Sequence, residues 1–312
     1  MTMILPLQHF PVNAILKQSL QVFENLCDPY EIRMNQRKGL SNRIKIKCSD
    51  RNITDCAACT LHYDEQTGAP FCQIVVWDNF CQYLWSLCYA SSIVMDKFII
   101  EPYLNPAKIT DEERLRPAYD LFMKGMSLFD ADDRRRATRR DFFSLPNPVN
   151  NPDDENVKAA NTLFGLSLCF VLFHEYHHFN LGHMVQPEKK ADEFEADFSA
   201  FYSMCADQTP EDKKVISMAI ILTMGSILLI DDTLDGGATH PDPDDRLGSI
   251  LSHINDLDAQ GKDYCYGMAV TIYKLWAFYY SKEALIPKVA EVENIEAYYK
   301  IIQQAVTNSK HT

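Results

Sequence analysis

Apolar residues between Val12 and Phe23 recur at helical spacing, which predicts an opening helix there. From Arg43 the period drops to two: RIKIKC alternates, and CTLHY and CQIVVW flank the turn-rich DEQTGAP. That pattern predicts a small antiparallel sheet with a hairpin around Thr67-Gly68. The apolar run from Asp78 to about Ile100 predicts a helix stopped by Pro102 and Pro106. Thr110-Asp-Glu-Glu113 fits a capping box that opens another helical region, with Pro117 limiting its start or bending it.

The pattern then breaks. DADDRRRATRRDFFSLPNPVNNPDDEN is charged and proline-bearing, and reads as a surface connection over residues 130–155. It separates an N-terminal region (1–129) from a helical one (156–312), and the two can share one compact domain. NVKAANTLFGLSLCFVLFHEYHHFNLG follows without proline, from the acidic Asp153-Asp154 to a natural stop at Gly182. Its middle, Leu163–Phe173, is apolar on every side, as in a helix buried in a core. PEKKADEFEADFSAFYSM predicts a helix from near Pro187, with Phe194, Phe198 and Phe201 on an apolar face. Glu193, Ala196, Asp197 and Ala200 fall on another face, where small alanines let two helices approach. The fold class expected is α+β: a mainly helical region carrying the chemistry, with a small N-terminal antiparallel sheet.

Composition narrows the function. The 312 residues, 46% hydrophobic, suffice for a sizeable core. A formal charge of -13 argues against nucleic acid or anionic membranes as partners. The five arginines between Arg134 and Arg140 form the one basic cluster, and neighbouring aspartates make it a solvated face. Three apolar runs, Phe80–Met95, Leu163–Phe173 and Val215–Ile230, read as buried helices rather than stable membrane insertions. The first is dotted with polar residues and the second ends in histidines. The third has 16 residues between Lys214 and Asp231, short of the ~20 that cross a bilayer. The start, MTMILPLQHFPVN, lacks the regions of a secretory signal. Ten cysteines without a repeating framework suggest reduced thiols of a cytoplasmic protein. Cys56-Ala-Ala-Cys59 is a lone pair with no second pair and no βαβ context, so strand and loop cysteines are expected.

The chemistry concentrates in FHEYHHFNLGH, where His174-Glu175-x-x-His178 is the HExxH pattern on a predicted helix. Residues four apart differ by only ~40° about a helix axis, so His174 and His178 can face one ion, whereas Glu175 is offset by ~100°. Glu175 can then reach a water on the metal rather than the metal itself. Two imidazoles and a carboxylate with a position left for water fit zinc. His177 and His183 fit a helix end whose negative dipole favours histidines. On spacing Glu193 is the leading third ligand, with Glu188, Asp192, Glu195 and His183 as rivals. Asp197, one turn on from Glu193, can hold a ligand imidazole in one tautomer.

Together, His174–His178, Glu193-Phe-Glu-Ala-Asp197 and Thr239-His-Pro-Asp-Pro-Asp-Asp-Arg-Leu247 resemble the E-x-x-A-D and T-H-P-x(4)-R signatures of gluzincin peptidases. The membrane-embedded CAAX-prenyl proteases share those signatures. A closer resemblance is to the Lit peptidase family of bacterial phage-exclusion proteins, soluble chains of similar length. That family shares the H-E-x-x-H-x(4)-H run, found here from His174 to His183, and an aromatic segment like NFCQYLWSLCYASSI. The resemblance spans residues 70–255. It implies a gluzincin-like zinc endopeptidase with His174, His178 and Glu193 as ligands and Glu175 as general base. It also implies a protein substrate, elongation factor Tu being the family's best-known one, cut after a phage peptide binds it. Donors for the developing oxyanion are expected in His240 and Arg246, past the flexible Asp235-Gly-Gly237. The structural alternatives are a proline-linked turn residue for His240 and a salt bridge to Asp244 or Asp245 for Arg246. CQIVVW is a candidate edge strand for aligning an extended substrate. The alternative function is a non-catalytic interaction protein with a structural zinc, although such sites are usually closed by four ligands.

Overall fold

The computed structural model describes residues 10–35, 44–49, 57–100, 112–129, 142–185, 189–287 and 294–310. Pro102, Pro106, the Thr110 cap, the Arg134–Arg140 cluster, Cys56, Pro187 and Glu188 lie outside them. The fold is α+β and mostly helical, with one small sheet near the N-terminus. Helix α1 (Asn13–Asn35) precedes strands β1 (Ile44–Ser49), β2 (Ala57–Tyr63) and β3 (Pro70–Trp77). At the hairpin, the Asp64 carboxylate accepts hydrogen bonds from the Gln66 and Thr67 amides, and Gly68 takes the positive φ of +67° that the turn demands.

The sheet is mixed rather than antiparallel. Its order is β1-β3-β2, with β2 antiparallel to β3 and β1 parallel to it. Alternation in RIKIKC specifies which face is buried, and it says nothing of which neighbour the strand chooses or in which direction. Likewise CQIVVW, in β3, is the central strand and not an edge. Cys72, Ile74 and Val76 are almost fully buried, whereas β2 exposes Thr60, His62 and Tyr63. The near-continuous apolar run of β3 is that of a strand flanked on both sides.

Helix α2 (Asp78–Met95) continues as a single π turn, Asp96–Ile100, and α3 (Glu112–Met126) accommodates Pro117 in its second turn. Helix α4 (Glu155–Asn180) begins where Asp154 caps the amides of Asn156 and Val157, and ends before Gly182 at φ +79°. It is long and apolar enough to cross a membrane by composition, yet 61% of its most apolar window is buried inside the fold. Helices α1, α2, α5 (Lys190–Cys205) and α6 (Pro210–Leu228) pack around it. Among the described residues, the remaining α-helices are α7 (Pro243–Leu251), α8 (Ala259–Tyr279) and α9 (Ile295–Ser309). A Cβ on Gly225 of α6 would lie 2.5 Å from Ile272 on α8, so glycine is what permits that close crossing. The apolar core runs from Val12 to Val306, so the N-terminal and C-terminal segments share it.

Helix α5 turns inward the face that carries its alanines, and of its phenylalanines Phe201 is buried whereas Phe198 is not. Phe198 is 46% exposed, while Glu193, Ala196, Asp197 and Ala200 are turned inward. Phe198 instead lies against the His253 ring, 4.8 Å between centroids. Acidic groups tolerate burial only beside compensating partners, and here those partners belong to two other helices.

Candidate metal centre

The C-terminal turns of α4, the inner face of α5 and the first turn of α7 meet at one point. There His174 Nε2 and His178 Nε2 are 3.0 Å apart, and Glu193 places Oε2 3.5 Å from the first and Oε1 3.4 Å from the second. These are the distances that one ion's ligands require. Donors ~2.0–2.1 Å from a tetrahedral zinc lie about 3.3 Å from one another. Among the described residues these three form a group able to hold a metal. Two imidazoles with one carboxylate suit zinc better than magnesium or calcium, which prefer oxygen ligands throughout. Of the rivals, Glu195 turns outward to His183, and Asp192 lies in the wall of the adjoining cavity.

Each of these three side chains has a support behind it. His174 Nδ1 lies 2.9 Å from Asp197 Oδ1, which leaves Nε2 as the free donor atom. Arg246 grips Asp197 from the far side through Nε at 2.8 Å and Nη2 at 2.7 Å, and its Nη1 lies 3.1 Å from Glu193 Oε2. One arginine therefore sets the orientation of two carboxylates. His178 Nδ1 lies 3.1 Å from His183 Nδ1, and His183 Nε2 lies 3.2 Å from Glu195, so a second chain of contacts runs outward from that imidazole.

The electrostatics agree with these contacts. Burial alone would raise the Asp197 carboxyl, but the charge of Arg246 and the contact with His174 hold it well below the ordinary carboxylate range. Burial disfavours the charged form of His174, and Asp197 outweighs it, so that imidazole is shifted up. His178 is lowered to about 3 by burial and then by the charges of His174 and His183. It therefore stays neutral, with a lone pair for a metal, throughout the physiological range. His177 differs from its expected role as a dipole-stabilised cation. It is buried, its Nε2 lies 2.9 Å from Ser203 Oγ, and burial followed by neighbouring histidine charge lowers it to about 4. A neutral imidazole gains little from the helix dipole.

A cavity of about 560 Å³ opens beside the triad, lined by His174, Glu175, His178, Glu193, His240 and Arg246 together with Ala57, Ala58 and Cys59 of β2. A family model described as Peptidase U49 matches residues 74–269, more than half of the chain. The chain belongs to the Peptidase U49 family. Its class of activity is therefore proteolysis, and its substrates are proteins or peptides. Comparison with curated proteins and with solved structures gave no match. The Peptidase U49 span contains every residue of the centre, from His174 to Arg246, and excludes β1 and β2.

Within this peptidase, His240 stands at the rim. Its side chain is 52% exposed, with Nε2 3.8 Å from Glu193 Oε1 and Nδ1 2.9 Å from the Thr239 hydroxyl. A Cβ on Gly236 would come within 2.1 Å of the Pro241 carbonyl oxygen, so the turn that delivers His240 closes only over glycine. Arg246 reaches across to α5, while Asp244 of its own turn is held by Lys310. The His183–Glu195 contact and the lining by β2 were not readable in the sequence. Neither a histidine past a helix end nor an outward glutamate carries a local signal for its partner.

Proposed function

We propose that this chain is a zinc-dependent endopeptidase of gluzincin type, acting in the bacterial cytoplasm on protein substrates, with phage exclusion as its biological setting. The observation that carries the proposal is the triad of His174, His178 and Glu193 at mutual distances of 3.0–3.5 Å, facing a cavity that Glu175 also lines. The Lit-like motifs support the setting. Zinc bound there supplies a Lewis acid and a water whose pKa is drawn toward ~7. Glu175 takes the proton of the attacking water and passes it to the leaving amine. The Thr239 hydroxyl lies 2.9 Å from His240 Nδ1, and in the tautomer that carries its proton on Nε2, His240 donates to the carbonyl oxygen as charge develops.

Arg246 we assign to holding Asp197 and Glu193 rather than to the carbonyl oxygen, since its three nitrogens are engaged with those carboxylates. The edge strand β2 replaces β3 as the aligning strand, because Ala57–Cys59 form one wall of the cavity and an extended chain can add beside them. Three protein ligands beside an open cavity favour catalysis over a structural zinc, which four ligands would close.

Elemental analysis should find one zinc per chain, and a chelator should abolish cleavage of a protein such as casein. Adding back zinc should restore it. Full proteolysis by metal-free protein would overturn the proposal. For His240→Ala we expect kcat to fall roughly tenfold, with zinc content unchanged and KM little affected. The effect is smaller than for an enclosed donor because water competes at this exposed site. An unaltered kcat would return His240 to a turn residue.

A further inference from the structure

Cys59 and Cys72 lie on adjacent strands, both outside the Peptidase U49 span. Their sulfurs are 3.0 Å apart, about 1 Å from the ~2.05 Å of a disulfide. Cys59 is level with Ile74 and Cys72 with Leu61, so the two are diagonal neighbours across the β2–β3 pair. Their exposures differ: Cys72 is fully buried, whereas Cys59 is half-buried and lines the wall of the cleft. Cys59 Sγ also touches Met184 Sδ at 3.6 Å. Met184 belongs to the short turn His183–Val185, whose His183 contacts the ligand His178.

We propose that Cys59 and Cys72 form an oxidisable dithiol whose closure to a disulfide switches the substrate cleft. The oxidant is a peroxide, small enough to enter the cavity. Cys59, as thiolate, attacks one peroxide oxygen. The O–O bond breaks, a sulfenic acid forms, and the departing oxygen leaves as water once protonated. The Cys72 sulfur then attacks the Cys59 sulfur. The S–O bond breaks and its oxygen leaves with a proton as the second water. Each sulfur gives up one electron, and the peroxide takes both. A thiol reductant reverses the change by exchange.

Closure moves the cleft because of where the strands sit. Diagonal cross-strand pairs are more widely spaced than direct ones, so bonding draws the strands together rather than merely turning a rotamer. β3 is held between two strands and is deeply buried, whereas β2 is an edge. β2 therefore gives way, shifting Ala57 and Ala58 and parting Cys59 from Met184. The effect on activity rests on the peptidase reading of the cleft, while the dithiol itself does not.

The test uses the full-length zinc-loaded protein treated with hydrogen peroxide, alkylated and digested without reduction. Mass spectrometry should find a peptide joining Cys59 to Cys72, lost on treatment with dithiothreitol. Casein cleavage should fall on the order of tenfold, as expected for a displaced substrate wall, and recover with dithiothreitol while zinc content stays constant. Cys72→Ser should form no such link, and its cleavage should lack the reversible loss. A Cys56–Cys59 link in place of this one, or no link at all, overturns the dithiol. A Cys59–Cys72 link with undiminished cleavage, or with parallel loss of zinc, overturns the action on the cleft. If the reduced protein cleaves nothing, it is the peptidase reading that fails, and the peptide map still decides the dithiol. Should Cys72→Ser misfold, the wild-type map is sufficient.

Discussion

Glu175→Gln should bind zinc as fully as the wild type, melt at the same temperature and cut protein substrates roughly 10²–10⁴-fold more slowly. The physical reason is position on the helix. Glu175 shares the cavity with the triad but sits ~100° around α4 from His174, so it loses no ligand when amidated. The amide has the shape of the carboxylate and cannot take a proton from water. Alanine at His174, His178 or Glu193 should behave differently, shedding most of the zinc and with it the activity. Elemental analysis alongside steady-state kinetics separates the two classes. Wild-type proteolysis by Glu175→Gln would sink the mechanism, and full zinc occupancy in Glu193→Ala would mean that another carboxylate completes the site.

Arg246→Ala should destabilise the metal-free protein by about 3–5 kcal/mol, the usual cost of removing one partner of a buried ion pair. Arg246 is 5% exposed, Asp197 2% and Glu193 7%, so the substitution strands two buried carboxylates, not one. Zinc should recover part of the loss, since its charge partly replaces that of the guanidinium. Thermal melts with and without zinc measure both effects. A purely scaffolding arginine would leave the zinc affinity of the folded protein intact. Here the affinity should also fall, by roughly 10–100-fold, because Asp197 no longer holds His174 in place. Unchanged stability and affinity together would remove Arg246 from the centre.

The sequence by itself carried what is local. The Asp154 cap, the Gly182 stop and the HExxH spacing all lie within one helix or its immediate ends, where backbone geometry ties neighbours in sequence to neighbours in space. Periodicity likewise located the three strands and the hairpin. What it could not supply was pairing between distant segments. The order β1-β3-β2 depends on a crossover that alternation does not encode. The choice of Glu193 as the carboxylate facing both histidines depends on which face of α5 turns inward, and Arg246, reaching Asp197 across 49 residues of sequence, compensates that face. Ala196 and Ala200 marked that face as one another helix can approach, since apolar burial needs no specific partner. Buried charge does need one, and such a partner comes into view only when separate helices are packed together.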